Sequence, residues 1–167
     1  MAFNIEVIQL CPSAILPTRG SADAAGFDLH ACIDEPVTIK FGEPAKLIPT
    51  GLKMFIKPCV DDVFGDSRQG TIAGIIVPRS GLGHKQGIVL GNGTGLIDAD
   101  YQGEWFVSLV NRGNHGVDTI DVVINPGDRI AQVFFTPVLI PNLCIVKEFS
   151  DMTKRGEGGF GSTGVSA

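Results

Sequence analysis

Short apolar segments, most of them rich in β-branched residues, recur along the chain and are separated by turn-forming residues. This pattern is typical of β-strands. It predicts eight strands, at Ile5–Leu10, Lys46–Ile56, Gly70–Val77, Ile88–Leu90, Trp105–Asn111, Asp121–Ile124, Arg129–Thr136 and Leu143–Phe149. Because the spacings are near ten residues, at roughly the interval of short strands in all-β domains, and no long helical period interrupts them, we expect an all-β fold, a barrel or a double sheet.

Three segments depart from the strand pattern. Ser80–Gln86 predicts one short helix, with Ser80 as its N-cap. Val60–Gly70 is polar and predicts a surface loop. From Ser150 onward the apolar periodicity ends and glycine dominates, which predicts a body over residues 1–149 and a flexible arm over residues 150–167 of the same domain.

The composition narrows the class of protein. A chain of 167 residues suits one domain, and 22 glycines with 10 prolines argue against a helical bundle. The formal net charge of −5 argues against direct nucleic-acid binding, because phosphate neutralisation requires clustered Lys and Arg. We expect no membrane association and no secretion, because no apolar run approaches a membrane span and no basic-then-apolar leader opens the chain.

The chain contains four cysteines that lie far apart in the sequence: Cys11, Cys32, Cys59 and Cys144. None of them belongs to a C-x-x-C pair. We therefore expect reduced and mostly buried thiols in a cytoplasmic protein, in the cytoplasm of a host cell if the source is a virus.

Pro78-Arg-Ser-Gly81 ends a predicted strand and opens the predicted helix. The first N–H groups of a helix carry partial positive charge and bind phosphate oxygens. The guanidinium of Arg79, the hydroxyl of Ser80 and the amide of Gly81 could together bind a polyphosphate. A capped turn with a surface arginine explains the same residues and is, on this segment alone, the more common outcome.

The segment Gly91-Asn-Gly-Thr-Gly95 contains an Asn-Gly pair that predicts the tip of a hairpin. Backbone around Asn92 and Gly95 could approach a flat ligand closely, because glycine has no side chain. An ordinary tight turn is the simpler explanation.

Two carboxylates and a phenol follow that turn. Asp98 comes after Leu96-Ile97, which look buried, so we expect it nearer the core than Asp100, whose simplest place is a solvated turn. An ionised carboxylate at Asp98 could orient and deprotonate a water molecule. Tyr101 lies three residues further along.

Gln132 interrupts an otherwise apolar strand, and a buried amide needs hydrogen-bond partners. It either satisfies a loop or contacts a ligand. We expect Asp128 and Arg129 to pair with each other. The histidines share no spacing that suggests a metal cage or a catalytic triad, and we expect each to be at the surface or hydrogen-bonded. They are His30, His84 and His115.

Together, these segments resemble the five ordered motifs of the trimeric dUTPase family. The five are Ala25-Gly-Phe-Asp-Leu-His-Ala31, Pro78-Arg-Ser-Gly-Leu82, Gly95-Leu-Ile-Asp-Ala-Asp-Tyr-Gln-Gly-Glu104, Gly127-Asp-Arg-Ile-Ala-Gln132 and Arg155-Gly-Glu-Gly-Gly-Phe-Gly-Ser-Thr-Gly164. Each motif alone is weakly specific, whereas five in the family's order form a strong signal.

The resemblance implies a jelly-roll β fold and a homotrimer with active sites shared between subunits. It also implies Mg²⁺-assisted hydrolysis of dUTP to dUMP and pyrophosphate, which limits uracil in DNA and supplies dUMP for thymidylate synthesis. In the family's pattern Asp98 activates the attacking water, Tyr101 packs on the deoxyribose, and Asn92 with the backbone to Gly95 forms the uracil pocket.

The remaining family roles concern the triphosphate. The resemblance assigns phosphate binding to Arg79, Ser80, Gly81 and Gln132, and it makes Asp28 an acid that meets the water shell of the metal. It implies that the C-terminal arm closes over the substrate. The arm residues concerned are Arg155, Phe160, Gly161, Ser162 and Thr163.

Two other functions stay open at this point. The first is a dCTP deaminase, a family that resembles this one in fold. The catalytic glutamate of that family, however, lies where this chain has Ser108. A non-catalytic nucleotide sensor or protein-binding module is the second alternative, and the Val60–Gly70 loop could then contact a partner.

Overall fold

The computed structural model describes residues 4–56, 70–113 and 120–158. The strands within these ranges are β1 (Glu6–Gln9), β2 (Thr18–Arg19), β3 (Phe27–His30), β4 (Val37–Ile39), β5 (Lys46–Phe55), β6 (Gly70–Val77), β7 (Ile88–Leu90), β8 (Gly95–Ile97), β9 (Glu104–Asn111), β10 (Val122–Ile124) and β11 (Arg129–Leu139). A single short helix in the described part, α1, spans Ser80–Gln86.

The strands form three antiparallel sheets. Four strands pair in the order β1-β5-β9-β7, five pair in the order β2-β3-β11-β6-β8, and β10 pairs with β4. None of these sheets closes on itself within the described ranges. The expected all-β class is therefore confirmed, as a double sheet and not as a closed barrel.

The core lies between the two larger sheets, because alternate side chains of each strand point inward. In β9, Trp105 and Val107 are buried whereas Phe106 between them is exposed. The Trp105 ring reaches the opposite sheet, where a Cβ placed on Gly74 of β6 would lie 3.1 Å from its Cη2 atom. Its indole Nε1–H donates to the Met54 carbonyl at 3.2 Å, so the buried polar atom is satisfied.

Most of the predicted strands are present, but the segment Leu143–Phe149 is not a strand. This prediction was wrong because apolar alternation alone does not make a strand, which also needs a neighbour to pair with. In this chain Leu143 and Phe149 are 94% and 90% exposed. Conversely, β11 is longer than predicted and runs through Pro137, which pairs with Ile72.

Four strands were missed by the sequence pattern: β2, β3, β4 and β8. Each has two to four residues and at most two large apolar side chains, which are too few to display a strand pattern.

The turn around Asn92 also differs from its prediction. Gly93 adopts φ +74°, so the Asn-Gly turn is real. However, β7 pairs with β9 and β8 pairs with β6, in different sheets. The turn connects the two sheets and is not the tip of a paired hairpin, so that prediction was wrong.

The helix α1 has the predicted bounds, but Arg79, and not Ser80, occupies its N-cap position, without a side-chain capping bond. Gly87, at φ +71°, ends the helix in the left-handed region that glycine tolerates best. Most of the predicted Val60–Gly70 loop lies outside the described residues, as do Cys59 and His115, and Gly70 is the first residue of β6. In the described part of the chain, no helix has the length and apolar character needed to cross a membrane.

Candidate active site

Three adjacent strands of the five-stranded sheet bring distant motif residues together. Gln132 of β11 lies opposite Asp28 of β3 on one side and opposite Val77 of β6 on the other. Because Arg79 follows Val77 by two residues, the first, second and fourth motifs meet at one end of this sheet. The sequence could order these motifs, but only the strand register places them side by side.

Asp28 binds two arginines. Its Oδ1 accepts a hydrogen bond from Arg79 Nε at 2.8 Å, and its Oδ2 accepts one from Arg129 Nη1 at 3.1 Å. The Asp28 side chain is only 14% exposed, so these ion pairs are partly shielded from water. We call Asp28, Arg79 and Arg129 the arginine cluster.

Arg129 is a further candidate site residue, which sequence reasoning missed. The expected pairing of Arg129 with Asp128 was wrong, because Asp128 Oδ2 instead accepts the Asn125 backbone N–H at 2.7 Å and closes a turn. Arg129 is directed to Asp28, which is 101 positions away in the sequence. No local pattern could have revealed a contact of that range.

Gln132 supports the loop that carries Arg79. Its Nε2 donates to the Pro78 carbonyl at 3.1 Å, which fixes the chain just before α1. Its Oε1 lies over Gly26, where an added Cβ would come within 2.7 Å. Of the two possibilities that the sequence left open for Gln132, the structure thus shows the hydrogen bond to a loop. Ser80 and Gly81, at the start of α1, are exposed.

His30 lies beside the arginine cluster, opposite Arg129 across the β3–β11 pair. Its Nδ1 is buried and has no hydrogen-bond partner among the described residues, which contradicts the expectation for this histidine. Burial lowers the pKa of His30 below 6.5; Asp28 opposes this effect, and the positive charges of Arg129 and Arg79 add to it. The imidazole is therefore neutral at neutral pH.

A second group of predicted residues lines a shallow depression of about 220 Å³ after β8. Asp98 and Tyr101 both line it, together with Phe106. Asp98 is exposed, so the expectation that it lies near the core was wrong. The cause is that β8 is an edge strand whose Leu96 is 63% exposed.

Backbone contacts fix Tyr101 next to Asp98. The Tyr101 N–H donates to the Asp98 carbonyl at 3.2 Å, and the Tyr101 hydroxyl donates to the Glu104 carbonyl at 2.9 Å. The ring lies against Gly103, where a Cβ would collide with the phenol. Glu104 is itself held in place, because its Oε1 accepts the Gly51 N–H at 3.0 Å. Gly103 and the Glu104 carbonyl thus position the Tyr101 phenol. The sequence motif alone did not indicate this role for either residue.

The Asn92 turn lies at the other end of β8 from Asp98. Asn92 is exposed, and its carbonyl accepts the Thr94 N–H at 2.8 Å. The Gly91 N–H donates to the Ser108 carbonyl at 2.9 Å, and a Cβ on Gly91 would collide with Ala45. The turn can therefore pack closely against Ala45 because residue 91 is a glycine. Gly95, at the end of the turn, is buried.

The two groups of residues are separate within one chain. Ile97, which precedes Asp98, pairs with Gly74 of β6, whereas Gln132 pairs with Val77. Gly74 and Val77 are three residues apart in β6, which is about 10 Å at 3.3 Å per residue. We call Gly91–Glu104 the β8 segment; Asp98 and Tyr101 follow the end of β8 that is farther from Gln132 along β6, whereas Gly95 at the other end pairs with Ile76, next to Val77.

The predicted arm residues are described only in part. Arg155 is exposed, and its Nε donates to the Gly158 carbonyl at 2.9 Å, within its own turn. The structure therefore does not bring Arg155 to the arginine cluster. The other predicted arm residues, Phe160, Gly161, Ser162 and Thr163, lie outside the described residues.

The described residues do not form a protein cage for a metal ion. They contain no group of three or more His, Cys, Asp or Glu side chains arranged to hold one. Both carboxylate oxygens of Asp28 already accept hydrogen bonds from arginines. A Mg²⁺ ion that binds here would take oxygens from a ligand and from water.

Comparisons with known proteins identify the family of this chain. A family model described as dUTPase matches residues 12–164. The deoxyuridine 5'-triphosphate nucleotidohydrolase of a Psychrobacter species is 52% identical over 149 residues, covering 89% of this chain and 86% of that protein. The protein of the same name from Burkholderia cenocepacia is 44% identical over 164 residues, covering 98% of this chain and 99% of that protein.

A solved structure extends the likeness to the fold. The dUTPase of Staphylococcus bacteriophage 80alpha with dUPNHPP superposes with a TM-score of 0.76 at 26% identity, covering 98% of this chain and 100% of that chain. The dUTPase of phage phi11 of S. aureus gives a TM-score of 0.69 at 25% identity, covering 89% of this chain and 99% of that chain. The double sheet is thus the jelly roll of these enzymes, and the chain belongs to the dUTPase family.

Proposed function

We propose that this protein hydrolyses dUTP to dUMP and pyrophosphate, and so limits uracil in DNA while supplying dUMP. One observation carries the proposal. An exposed carboxylate, Asp98, and a phenol, Tyr101, line the same depression in a chain that is 52% identical to a deoxyuridine triphosphate nucleotidohydrolase.

The β8 segment would recognise the nucleoside. Uracil presents an N3–H donor between two carbonyl acceptors, which suits main-chain groups around Asn92 and Gly95. Cytosine presents an acceptor at N3 and an amino donor at C4, and would leave polar groups unpaired, which can discriminate by roughly 10⁴. The Tyr101 ring, fixed on Gly103, would pack on the deoxyribose and leave no room for a 2′-hydroxyl.

The arginine cluster would bind the triphosphate. Asp28 holds Arg79 in one orientation, so the guanidinium is ordered before the ligand arrives. Ser80 and Gly81 are exposed beside it and would donate to phosphate oxygens, and Gln132 keeps their loop in place. Arg129 is 53% exposed and adds a second positive charge at the same end of the sheet.

The chemistry would be in-line attack of water on the α-phosphorus. Asp98 would accept a proton from that water, the bond between the α-phosphorus and the oxygen bridging to the β-phosphorus would break, and pyrophosphate would leave with that oxygen. The positive charges of Arg79 and Arg129 would reduce the repulsion between the attacking oxygen and the phosphate oxygens. We infer that Arg155 and the arm residues Phe160 to Thr163 then close over the bound nucleotide.

We treat Mg²⁺ as part of the substrate, because the described residues form no cage for it. The ion would arrive with the triphosphate and would neutralise phosphate charge. Asp28 would meet only the water around it, since both of its oxygens are engaged with arginines.

We further propose a homotrimer in which one chain supplies the β8 segment and a neighbour supplies the arginine cluster. Two observations support this arrangement. Asp98 follows Ile97, whose partner on β6, Gly74, lies three residues from Val77, the partner of Gln132. In addition, Leu47 and Phe106, side chains of neighbouring strands, are exposed, as are the apolar residues of 143–152. Exposed apolar surface of this extent is typical of a protein interface.

The alternative of a dCTP deaminase is not favoured. At the position where that family carries a catalytic glutamate, Ser108 packs beneath the turn, with its Oγ 2.8 Å from where a Cβ on Gly91 would be. We propose a cytoplasmic setting, because the described cysteines are free thiols.

The direct test is pyrophosphate release from dUTP, dCTP, dTTP and UTP, each at equal concentration with Mg²⁺. We expect rapid release from dUTP only. Ammonia release from dCTP would instead identify a deaminase, and binding of dUTP without pyrophosphate release would identify a sensor. Either result would refute the proposed activity.

A further inference from the structure

Two cysteines that are distant in the sequence are neighbours in the fold. The Sγ atoms of Cys11 and Cys32 are 2.7 Å apart although 21 positions separate them. The Ser13 Oγ lies 3.3 Å from Cys11 Sγ and 3.6 Å from Cys32 Sγ. Both cysteines are half-buried, so small reagents can reach the pair. Neither residue has a part in the proposed hydrolysis.

Backbone hydrogen bonds hold the two cysteines at this distance. The Leu10 N–H donates to the Gly51 carbonyl, and the Cys32 N–H donates to the Pro49 carbonyl, each at 2.8 Å. The segments that carry the thiols are therefore attached to β5 two residues apart. The Ala14 N–H donates to the Cys11 carbonyl at 3.2 Å and closes the turn that contains Cys11.

Gly51 makes room for the pair. It adopts φ +68°, and a Cβ at this position would lie 2.5 Å from Cys32 Sγ and 2.8 Å from the Ala14 Cβ. Any other residue would be strained and would push Cys32 away. The proximity of the two thiols is thus built into the backbone and does not depend on side-chain choice alone.

The two thiols differ in chemistry. Hydrogen bonds from Cys32, and then from Ser13, lower the pKa of Cys11 below 9.0. Burial, and then the bond with Cys11, raises the pKa of Cys32 above 9.0. Cys11 is therefore the nucleophile of the pair, since the thiolate is the reactive form. Cys32, which retains its proton, is suited to resolve an oxidised Cys11.

We propose that Cys11 and Cys32 form a redox-active pair that peroxide converts to a reversible intramolecular disulfide. The Cys11 thiolate attacks one oxygen of hydrogen peroxide, the O–O bond breaks, and Cys11 becomes a sulfenic acid. The leaving hydroxide takes the Cys32 proton to give water. The Cys32 thiolate then attacks the Cys11 sulfur, the S–O bond breaks, and the departing hydroxide takes up the proton that the Cys11 thiol had released and leaves as a second water.

The reaction balances in electrons and protons, and the geometry of the pair favours disulfide formation. Two thiols lose two electrons and two protons, and one peroxide is reduced to two waters. A disulfide bond is about 2.05 Å long, so the sulfurs at 2.7 Å need only a small approach. Gly51 links the pair to the β8 segment through its bond with Glu104, but this inference does not rest on the proposed hydrolysis.

The experiment uses the full chain, first reduced, then treated with hydrogen peroxide, alkylated and digested with trypsin without reduction. Cleavage after Arg19 and Lys40 separates the two thiols, so a disulfide would join peptide 1–19 to peptide 20–40. We expect this linked pair, its loss on treatment with dithiothreitol, and a Tm that rises by roughly 5 °C in the oxidised form because a closed loop restricts the unfolded chain.

Matched variants make the test decisive. Cys144→Ser removes an exposed thiol and should leave the linked pair unchanged. Cys32→Ser should stop at the Cys11 sulfenic acid, which dimedone traps, and Cys11→Ser should give neither product. The inference is overturned if Cys11 is oxidised to sulfinic acid while Cys32 stays free in the wild type, or if the only disulfide formed joins two chains through Cys144.

Discussion

The arginine cluster and the β8 segment are both candidate parts of one active site, but the fold treats them differently. Asp28 is 14% exposed and both of its oxygens bind arginines from other strands. Asp98 and Tyr101 are exposed on an edge, and the bonds described for them run to the backbone of their own segment. A single chain thus forms all the contacts that order the arginine cluster, whereas it leaves Asp98 and Tyr101 exposed.

The difference shows which groups of the candidate site are already ordered before the substrate binds. Two guanidinium groups near each other repel, and Asp28 between them offsets that cost and fixes their direction. A general base needs the opposite environment, an open carboxylate that substrate and a neighbouring surface can enclose. We therefore expect changes in the arginine cluster to affect both stability and activity, and changes in the β8 segment to affect activity alone.

The largest effect is expected at Asp98. Asp98→Asn removes the proton acceptor but keeps the size of the side chain, so kcat should fall by about 10² or more while KM and Tm stay near wild-type values. Pyrophosphate release and thermal unfolding measure this. Asp100→Asn is the matched control, because Asp100 is a neighbouring exposed carboxylate. Unchanged turnover in Asp98→Asn would remove Asp98 from the mechanism.

The next effect is expected at Asp28. Asp28→Asn weakens the hold on both arginines, so the free energy of unfolding should fall by about 1–3 kcal/mol. The value of kcat/KM should fall roughly tenfold, because Arg79 is no longer oriented. Urea denaturation and steady-state kinetics measure the two quantities. The Arg129→Gln variant and the double variant complete a cycle, in which additive losses of stability would contradict a direct Asp28–Arg129 interaction.

A smaller effect is expected at Gly103. In Gly103→Ala the new methyl group collides with the phenol, so Tyr101 must leave the Glu104 carbonyl. We expect KM for dUTP to rise roughly threefold, with little change in Tm, because only the orientation of the ring is lost. Gly20→Ala is the control, since a Cβ there meets nothing within 4 Å. A fall in Tm with unchanged KM would mean that Tyr101 serves the fold instead.

The smallest effect is the pH dependence at His30. The pKa of this imidazole is lowered on folding, chiefly by burial, so the unfolded chain binds the proton more readily. Stability from this group is present above pH 6.5 and is lost as the pH falls through the lower pKa of the folded state. His30→Gln should therefore flatten the decrease in Tm on acidification below 6.5. Parallel curves for His30→Gln and the wild type would contradict this assignment.

The sequence predicted the long strands well because β5, β6, β9 and β11 each carry enough residues to show which face is buried. It could not predict the pairing of Arg129 with Asp28, since a contact across 101 positions depends on strand register. It also misplaced Asp98, because Leu96-Ile97 is apolar yet lies on an edge strand.

Two further failures have a common cause. Leu143–Phe149 has the apolar content of a strand but lies exposed, and the Asn92 turn joins two sheets and not two paired strands. In both cases the local pattern reports that a segment could form a strand, whereas the pairing itself is decided by strands that are distant in the sequence.

Mixed trimers test the shared site most directly. Chains carrying Asp98→Asn and chains carrying Arg79→Ala, each with a different affinity tag, are co-expressed, and assemblies containing both are isolated by sequential affinity steps. If neighbouring chains supply the two groups, each mixed trimer holds one intact site and should show about one third of wild-type dUTP hydrolysis. If one chain supplies both groups, every site is defective, and the mixed assemblies would be as inactive as either variant alone.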